Sequence, residues 1–155
     1  VSGFGRILKD LNSAEVEYVL VGGIAMIRHG VVRATRDIDA VFEPSDQNVN
    51  RIRGLIDRWQ ATRPDGSPVD LDQVKSDRTV HLSTPHGDLD LLSEKIAGIP
   101  FARLRERADV KQVDGAPAAI CSLADLVALK RAAGRERDLA DLSDLEAAHG
   151  ELPPD

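Results

Sequence analysis

The sequence has a single cysteine, no long apolar run and no surplus of basic charge, and each shortage removes a class of protein. Cys121 alone cannot close an internal disulfide, which fits a reducing cytoplasm. The four histidines, His29, His81, His86 and His149, show no metal-ligand spacing; with only one cysteine they leave no structural zinc site, and each reads as a surface or capping residue. Uninterrupted apolar stretches such as Tyr18 to Val21 fall far short of the roughly 20 residues that span a bilayer, so no membrane partner is expected. The opening VSGFGRILKD lacks the basic start and apolar run of a secretory signal, and a cytoplasmic protein is expected. Twenty basic residues face 26 acidic ones, a net charge of −6, which argues against a general nucleic-acid coat. No G-x-G-x-x-G, no Gly-Lys-Ser/Thr loop and no G-x-S-x-G elbow occurs, so dinucleotide, Walker-loop and serine-hydrolase chemistry have no signature here.

What is present is an ordinary globular balance, 42% hydrophobic and 30% charged over 155 residues, enough for one domain with a sizeable core. Arginines cluster at 28, 33 and 36, at 103, 105 and 107, and at 131, 135 and 137. The guanidinium fork suits phosphate, so a local anion site is compatible with the net acidity; interleaved Asp and Glu would equally make these clusters solvated ion-pair faces.

Apolar residues at 4, 7, 8 and 11 predict a helix from Phe4 to Leu11. Val16 to Val21 reads as a buried strand ended by Gly22-Gly23, followed by a short helix from Ile24 to His29 stopped by Gly30. Arg36 to Phe42 is a second strand, and Ser45 caps a helix running to about Trp59, which closes it and packs. Thr62 to Asp77 reads as a long loop. Thr79 to Ser83 and Asp88 to Leu92 form a hairpin around Pro85-His86-Gly87, and Val110 to Val113 pairs with Ala118 to Cys121 across Asp114-Gly115. Cys121 is expected as a small core residue. Ser122 and Asp125 resemble a capping box that starts a helix to about Ala132, and a last helix runs from Glu136 to Ala148 before a loose tail, Leu152 to Asp155. The fold class is α+β: a mixed sheet covered by helices, with a core at about 14–121 and a C-terminal helical pair at about 122–149.

The chemistry concentrates between Tyr18 and Glu43. Side chains alternate along a strand, so Asp37 and Asp39 project to one side, about 7 Å apart, and repel unless a cation lies between them. Mg²⁺ prefers such oxygen ligands, although two solvent-facing aspartates on an edge would look the same. Gly22-Gly23, between strand and helix, lets a phosphate approach backbone N–H groups, or simply makes a tight turn. Downstream, Asp88 and Asp90 share a face of their strand, opposite Leu89 and Leu91. Either the strand holds a partnered carboxylate or the mouth of the hairpin exposes both acids. On the helix from Ser122, Leu123, Leu126 and Val127 form the apolar stripe and Lys130 falls on it, where it must snorkel, pair or meet a ligand. Asp138 and Asp141 lie on one face of the next helix, so a Lys130–Asp138 bridge between the helices is the plainest reading. Arg33 and Arg36 flank the acidic pair, either steering a triphosphate or balancing charge.

Taken together, VGGIAMIRHG…RATRDIDAVF and LDLL resemble the nucleotidyltransferase superfamily related to DNA polymerase β, over about residues 16–92. The wording looks closest to small bacterial members, including abortive-infection nucleotidyltransferase toxins of toxin–antitoxin pairs. The resemblance implies transfer of a nucleoside monophosphate from a nucleoside triphosphate such as ATP to an acceptor hydroxyl, on tRNA, a protein or a small molecule such as an aminoglycoside. It implies two Mg²⁺ ions (Mn²⁺ an alternative) held by Asp37, Asp39 and a third acid, Asp90 or else Asp88. It places Gly22 and Gly23 at the phosphates and, from LKRAAGRERDLADLSDLEA, Lys130 and Arg135 near them, with Asp138 and Arg36 in support. A cognate antitoxin or other protein partner is implied as well. The alternative is a catalytically silent nucleotide-binding or antitoxin-like module of the same fold.

Overall fold

The computed structural model describes residues 3–75 and 77–154; Val1, Ser2, Ser76 and Asp155, and with them one residue of the expected loop and one of the expected tail, lie outside it. In chain order the elements are α1 Gly3–Ser13, β1 Tyr18–Val21, α2 Gly22–Arg28, β2 Asp37–Phe42, α3 Asp46–Trp59, a 3₁₀ turn Leu71–Lys75, β3 Val80–Thr84, β4 Gly87–Leu92, α4 Glu94–Ala97, α5 Phe101–Arg107, β5 Asp109–Val113, β6 Ala116–Ile120, α6 Leu123–Ala133 and α7 Glu136–His149. The six strands form one mixed sheet in the order β3-β4-β2-β1-β6-β5. The fold is thus α+β with a C-terminal helical pair, as the sequence implies.

Two local rules place the helices. Ser45, Ser93 and Ser122 each accept a hydrogen bond at Oγ from the backbone N–H three residues on, which satisfies one of the donors a helix start leaves free. The apolar stripes then choose the faces: Ile7, Leu8 and Leu11 of α1, and Val49, Ile52, Leu55, Ile56 and Trp59 of α3, are all buried. α1 packs on β4, β6 and α3, over a sheet face built from Leu20, Ile38, Ala40, Phe42, Leu89 and Leu91. Burying each such side chain stabilises the fold by about 1.5–3 kcal/mol. Trp59 also donates Nε1–H to Asp10 Oδ2 at 2.8 Å.

Four details depart from the sequence expectations. Residues 94–107, given no element there, hold α4 and α5, separated by Gly98 and Pro100. The expected 62–77 loop contains the 3₁₀ turn, and Thr62 bridges to Pro68 and Ser83, which pairs the outer edge of β3 at Ser83. The tail is not loose over its described residues, because Leu152 packs on the core and Arg131 donates to the Pro153 carbonyl at 2.7 Å. The box at Ser122 is half made: Ser122 receives the Asp125 N–H, but Asp125 Oδ2 is buried without a partner and Oδ1 faces Arg107 at 3.5 Å.

Candidate active site

β2 lies between β1, antiparallel to it, and β4, parallel to it. The parallel register sets Asp37 beside Asp88 and Asp39 beside Asp90. In-register neighbours point to the same side of a sheet, so four carboxylates share one face while Ile38, Ala40, Leu89 and Leu91 point into the core. Antiparallel pairing of β1 brings Val21 beside Asp39, so the chain turns into α2 next to that carboxylate.

The glycines are required by this turn. Gly22 has φ +65°, and a Cβ there would fall on Asp39 Oδ2. A Cβ at Gly23 would lie 2.6 Å from Thr35 Oγ1, the hydroxyl that donates to the Asp37 carbonyl at 3.2 Å. Gly23 uses its own N–H to donate to the Asp39 carboxylate. The turn therefore holds the acid directly, a contact beyond the phosphate-cradling part expected from the sequence.

Electrostatics single out Asp39. Burial pushes its carboxyl up to about 6, repulsion from Asp90 adds to the rise, and the Gly23 N–H only partly offsets it. Asp37 is raised as well, by burial first and then by Asp90 and Asp88. Such mutual repulsion is what a divalent cation relieves, and carboxylate oxygens are the donors that Mg²⁺ and Mn²⁺ take. Among the described residues no three His, Cys, Asp or Glu side chains already converge as a cage, so the fit rests on the donor chemistry and the shared face.

His81 is exposed, as expected from the sequence, and it also stands against the acidic face. The β3–β4 register puts it opposite Asp90, and its Nδ1 lies 2.7 Å from Asp90 Oδ1. Asp88, further out on β4, is exposed. The other three histidines stand apart from the acids; His29 Nε2, for instance, bonds the Cys121 carbonyl at 2.8 Å. Cys121 is buried and its thiol is pushed up to about 12, so it supplies no thiolate at neutral pH.

Basic residues approach from the C-terminal pair. α2 packs on β1 and β2, α6 on α2, and α7 on α6. Lys130 Nζ lies 2.8 Å from Asp141 Oδ2 and 3.5 Å from Asp138 Oδ1. Arg33 reaches Asp141 at 2.8 Å, and Arg135 Nε reaches Asp138 at 2.6 Å. Asp138 is fully buried and also accepts the Arg135 backbone N–H at 3.1 Å, closing the start of α7. Its carboxyl is held below the usual range: burial opposes this, and the Arg135 and Lys130 contacts outweigh it. Arg135 in turn feels the charge of Asp39, so this alternating chain of charge acts on the acidic face. Arg36 acts on Asp37. Two clefts of about 370 and 250 Å³ lie elsewhere, at the α3 C-terminus and beside Tyr18, and neither includes an acid of this face.

A six-stranded mixed sheet with acids on its central strands and a Gly-Gly turn against them is a nucleotidyltransferase-type architecture, and solved structures agree. The antigenic nucleotidyltransferase-like protein of Paracoccidioides brasiliensis superposes with a TM-score of 0.59 at 15% identity, over 93% of this chain and 72% of its own. The antibiotic-resistance factor ANT(2'')-Ia gives 0.61 at 11% identity, over 96% and 83%. JHP933 of Helicobacter pylori gives 0.52 at 19% identity, over 96% and 64%. At identities this low, these superpositions show a shared fold alone. No curated protein matches the chain by sequence. The family itself is shown by the sequence: residues 6–148 match the family described as nucleotidyltransferases of unknown function (DUF6036), and the chain belongs to it.

Proposed function

We propose that this nucleotidyltransferase moves a nucleoside monophosphate from a nucleoside triphosphate such as ATP to an acceptor hydroxyl, with Asp37, Asp39 and Asp90 as its metal-holding acids. The observation that carries the reading is the register Asp37–Asp88 and Asp39–Asp90 on adjacent parallel strands, with the Gly22-Gly23 turn against Asp39. Asp90 is favoured over Asp88 as the third acid because it stands beside Asp39 and is oriented by His81, whereas Asp88 is exposed.

Bound Mg²⁺, or Mn²⁺ in its place, supplies charge neutralisation on the triphosphate and lowers the acceptor hydroxyl's pKa. Asp37 and Asp39 would hold that charge at the triphosphate, and Asp90 would hold it on the side of the acceptor. The acceptor oxygen forms a bond to the α-phosphorus, the bond to the bridging oxygen of the β-phosphate breaks, and pyrophosphate leaves while the acceptor's proton passes to solvent. Gly22 and Gly23 leave the backbone open beside the phosphates, since no side chain intervenes. Lys130 and Arg135 offset charge on the departing pyrophosphate by exchanging part of their contact with Asp138 and Asp141 for phosphate oxygens. Arg36 supports Asp37.

The acceptor classes in the proposal are tRNA, protein and small molecules, and the small bacterial toxins that the sequence resembles add a cytoplasmic role beside a cognate antitoxin. A small-molecule acceptor is supported by the fold shared with ANT(2'')-Ia, which is also solved with adenylyl-2''-tobramycin. The test incubates the protein with each α-³²P-labelled triphosphate, Mg²⁺ and separate pools of tRNA, cell protein and aminoglycosides. Label in one pool, lost with Asp37→Asn, establishes the activity and names the acceptor class. Metal-dependent triphosphate binding without transfer would favour the silent module instead.

A further inference from the structure

We propose that β5 is the contact between two copies of this chain, which pair through it into one continuous sheet. The two edges of the sheet are treated differently. Thr62 pairs with the β3 edge at Ser83, whereas Asp109, Val110, Lys111 and Gln112 of β5 are all exposed, Val110 to 62%. An open strand edge presents unpaired N–H and C=O groups that another strand can satisfy.

Hydrogen-bond parity identifies those groups. β5 and β6 join through the two-residue turn Asp114-Gly115, both at positive φ, and residues flanking such a turn form a hydrogen-bonded pair, here Val113 and Ala116. Pairs then alternate, so Lys111–Ala118 and Asp109–Ile120 are bonded, whereas Gln112 and Val110 turn their backbone groups outward. Pro117, opposite Gln112, agrees with this phase: its missing N–H costs no bond to β5, and its carbonyl accepts Asn12 Nδ2–H at 2.8 Å. Ala108, at the same phase, has its N–H on the Arg105 carbonyl at 3.3 Å, and the Gln112 carbonyl accepts from Arg28. The groups without partners are the Val110 N–H and C=O, the Gln112 N–H and the Ala108 C=O.

A second β5 laid antiparallel with Val110 opposite Val110 uses all of them. The two valines exchange both bonds, and each Gln112 N–H meets the other copy's Ala108 carbonyl, giving four bonds with no edge group left over. Charge selects the same register. Centred on Val110, Asp109 of each copy faces Lys111 of the other. A shift centred on Lys111 opposes two lysines and asks for the Gln112 carbonyl already held by Arg28; a shift centred on Asp109 opposes two aspartates. The alternative occupant of an exposed edge is water, with Asp109 and Lys111 serving only to keep other strands away.

The experiment is sedimentation velocity across a concentration series on the full chain, with circular dichroism to check folding. Wild type is expected to double in mass as concentration rises. Val110→Pro removes an N–H that the monomer's ladder does not use and is expected to stay monomeric with an unchanged spectrum. Lys111→Asp opposes aspartates and is expected to abolish the dimer, whereas the double swap Asp109→Lys with Lys111→Asp restores it. A wild type that is monomeric throughout overturns the proposal. So does a dimer that survives Val110→Pro and Lys111→Asp in folded protein.

Discussion

Asp39→Asn is expected to stabilise the metal-free protein while removing its activity, and the size of the gain follows from the site. The folded environment raises the Asp39 carboxyl from 3.8 to about 6. A group raised on folding adds stability that is fully present below its unfolded value and is lost as pH rises through the folded one, here between about pH 4 and pH 6. Two units correspond to about 3 kcal/mol at neutral pH, and the side chain's partial contact with solvent reduces that to about 1–2 kcal/mol. Asparagine keeps an oxygen for the Gly23 N–H and gains an amide that can donate to Asp90. At this chain length the gain appears as a rise of about 2–8 °C in Tm. The assay is thermal unfolding by circular dichroism with a chelator present, at pH 7.5 and at pH 4. The variant is expected to melt higher at pH 7.5 and to match wild type at pH 4. An equal or lower Tm at pH 7.5 would refute the reasoning that the acids strain one another when no cation is bound.

Other outcomes follow from the same contacts. Gly22→Ala forces a side chain onto Asp39 at φ +65°, so a loss of about 1–3 kcal/mol in denaturant unfolding is expected together with loss of metal-dependent triphosphate binding. Lys130→Met leaves Asp138 and Asp141 short of a cation; it is expected to cost about 2–3 kcal/mol, and the double variant with Asp141→Asn is expected to recover part of that. Trp59→Phe removes the Nε1–H bond to Asp10, whose carboxyl is held low by this bond and by Arg6 and Arg58 against the opposing effect of burial. The cost, about 1 kcal/mol, is expected above pH 4 and to shrink as pH falls through the folded value, measured by urea unfolding at both ends.

How far this was legible in the sequence depended on the range of each contact. Asp37 and Asp39 were readable as a same-face pair because strand alternation is local, and Gly22-Gly23 because glycine marks a turn wherever it falls. The β2–β4 pairing that sets Asp39 beside Asp90 joins segments about fifty residues apart, and no local pattern encodes it. The His81–Asp90 contact could have been found. Its hairpin turns on two residues, Pro85 and His86, with Thr84 opposite Gly87, and counting back from that pair lands on Asp90. Reading Gly87 as part of the turn hides that register. α4 and α5 are short and flanked by Gly98 and Pro100, which resemble loop residues in sequence, although Ser93 was available as a cap. At α7, Asp138 reads as a partner for Lys130, while its bond to the Arg135 backbone emerges only from the turn at Gly134.

Nucleotidyl transfer is distinguished from other phosphate chemistry by following the two ends of one triphosphate. Protein, Mg²⁺ and the responsive acceptor pool are given ATP labelled on the α-phosphate in one reaction and on the γ-phosphate in another. Expected are α-label on the acceptor, γ-label only in pyrophosphate, and neither with Asp39→Asn. Transfer of γ-label to the acceptor, or α-transfer that survives Asp39→Asn, would contradict it.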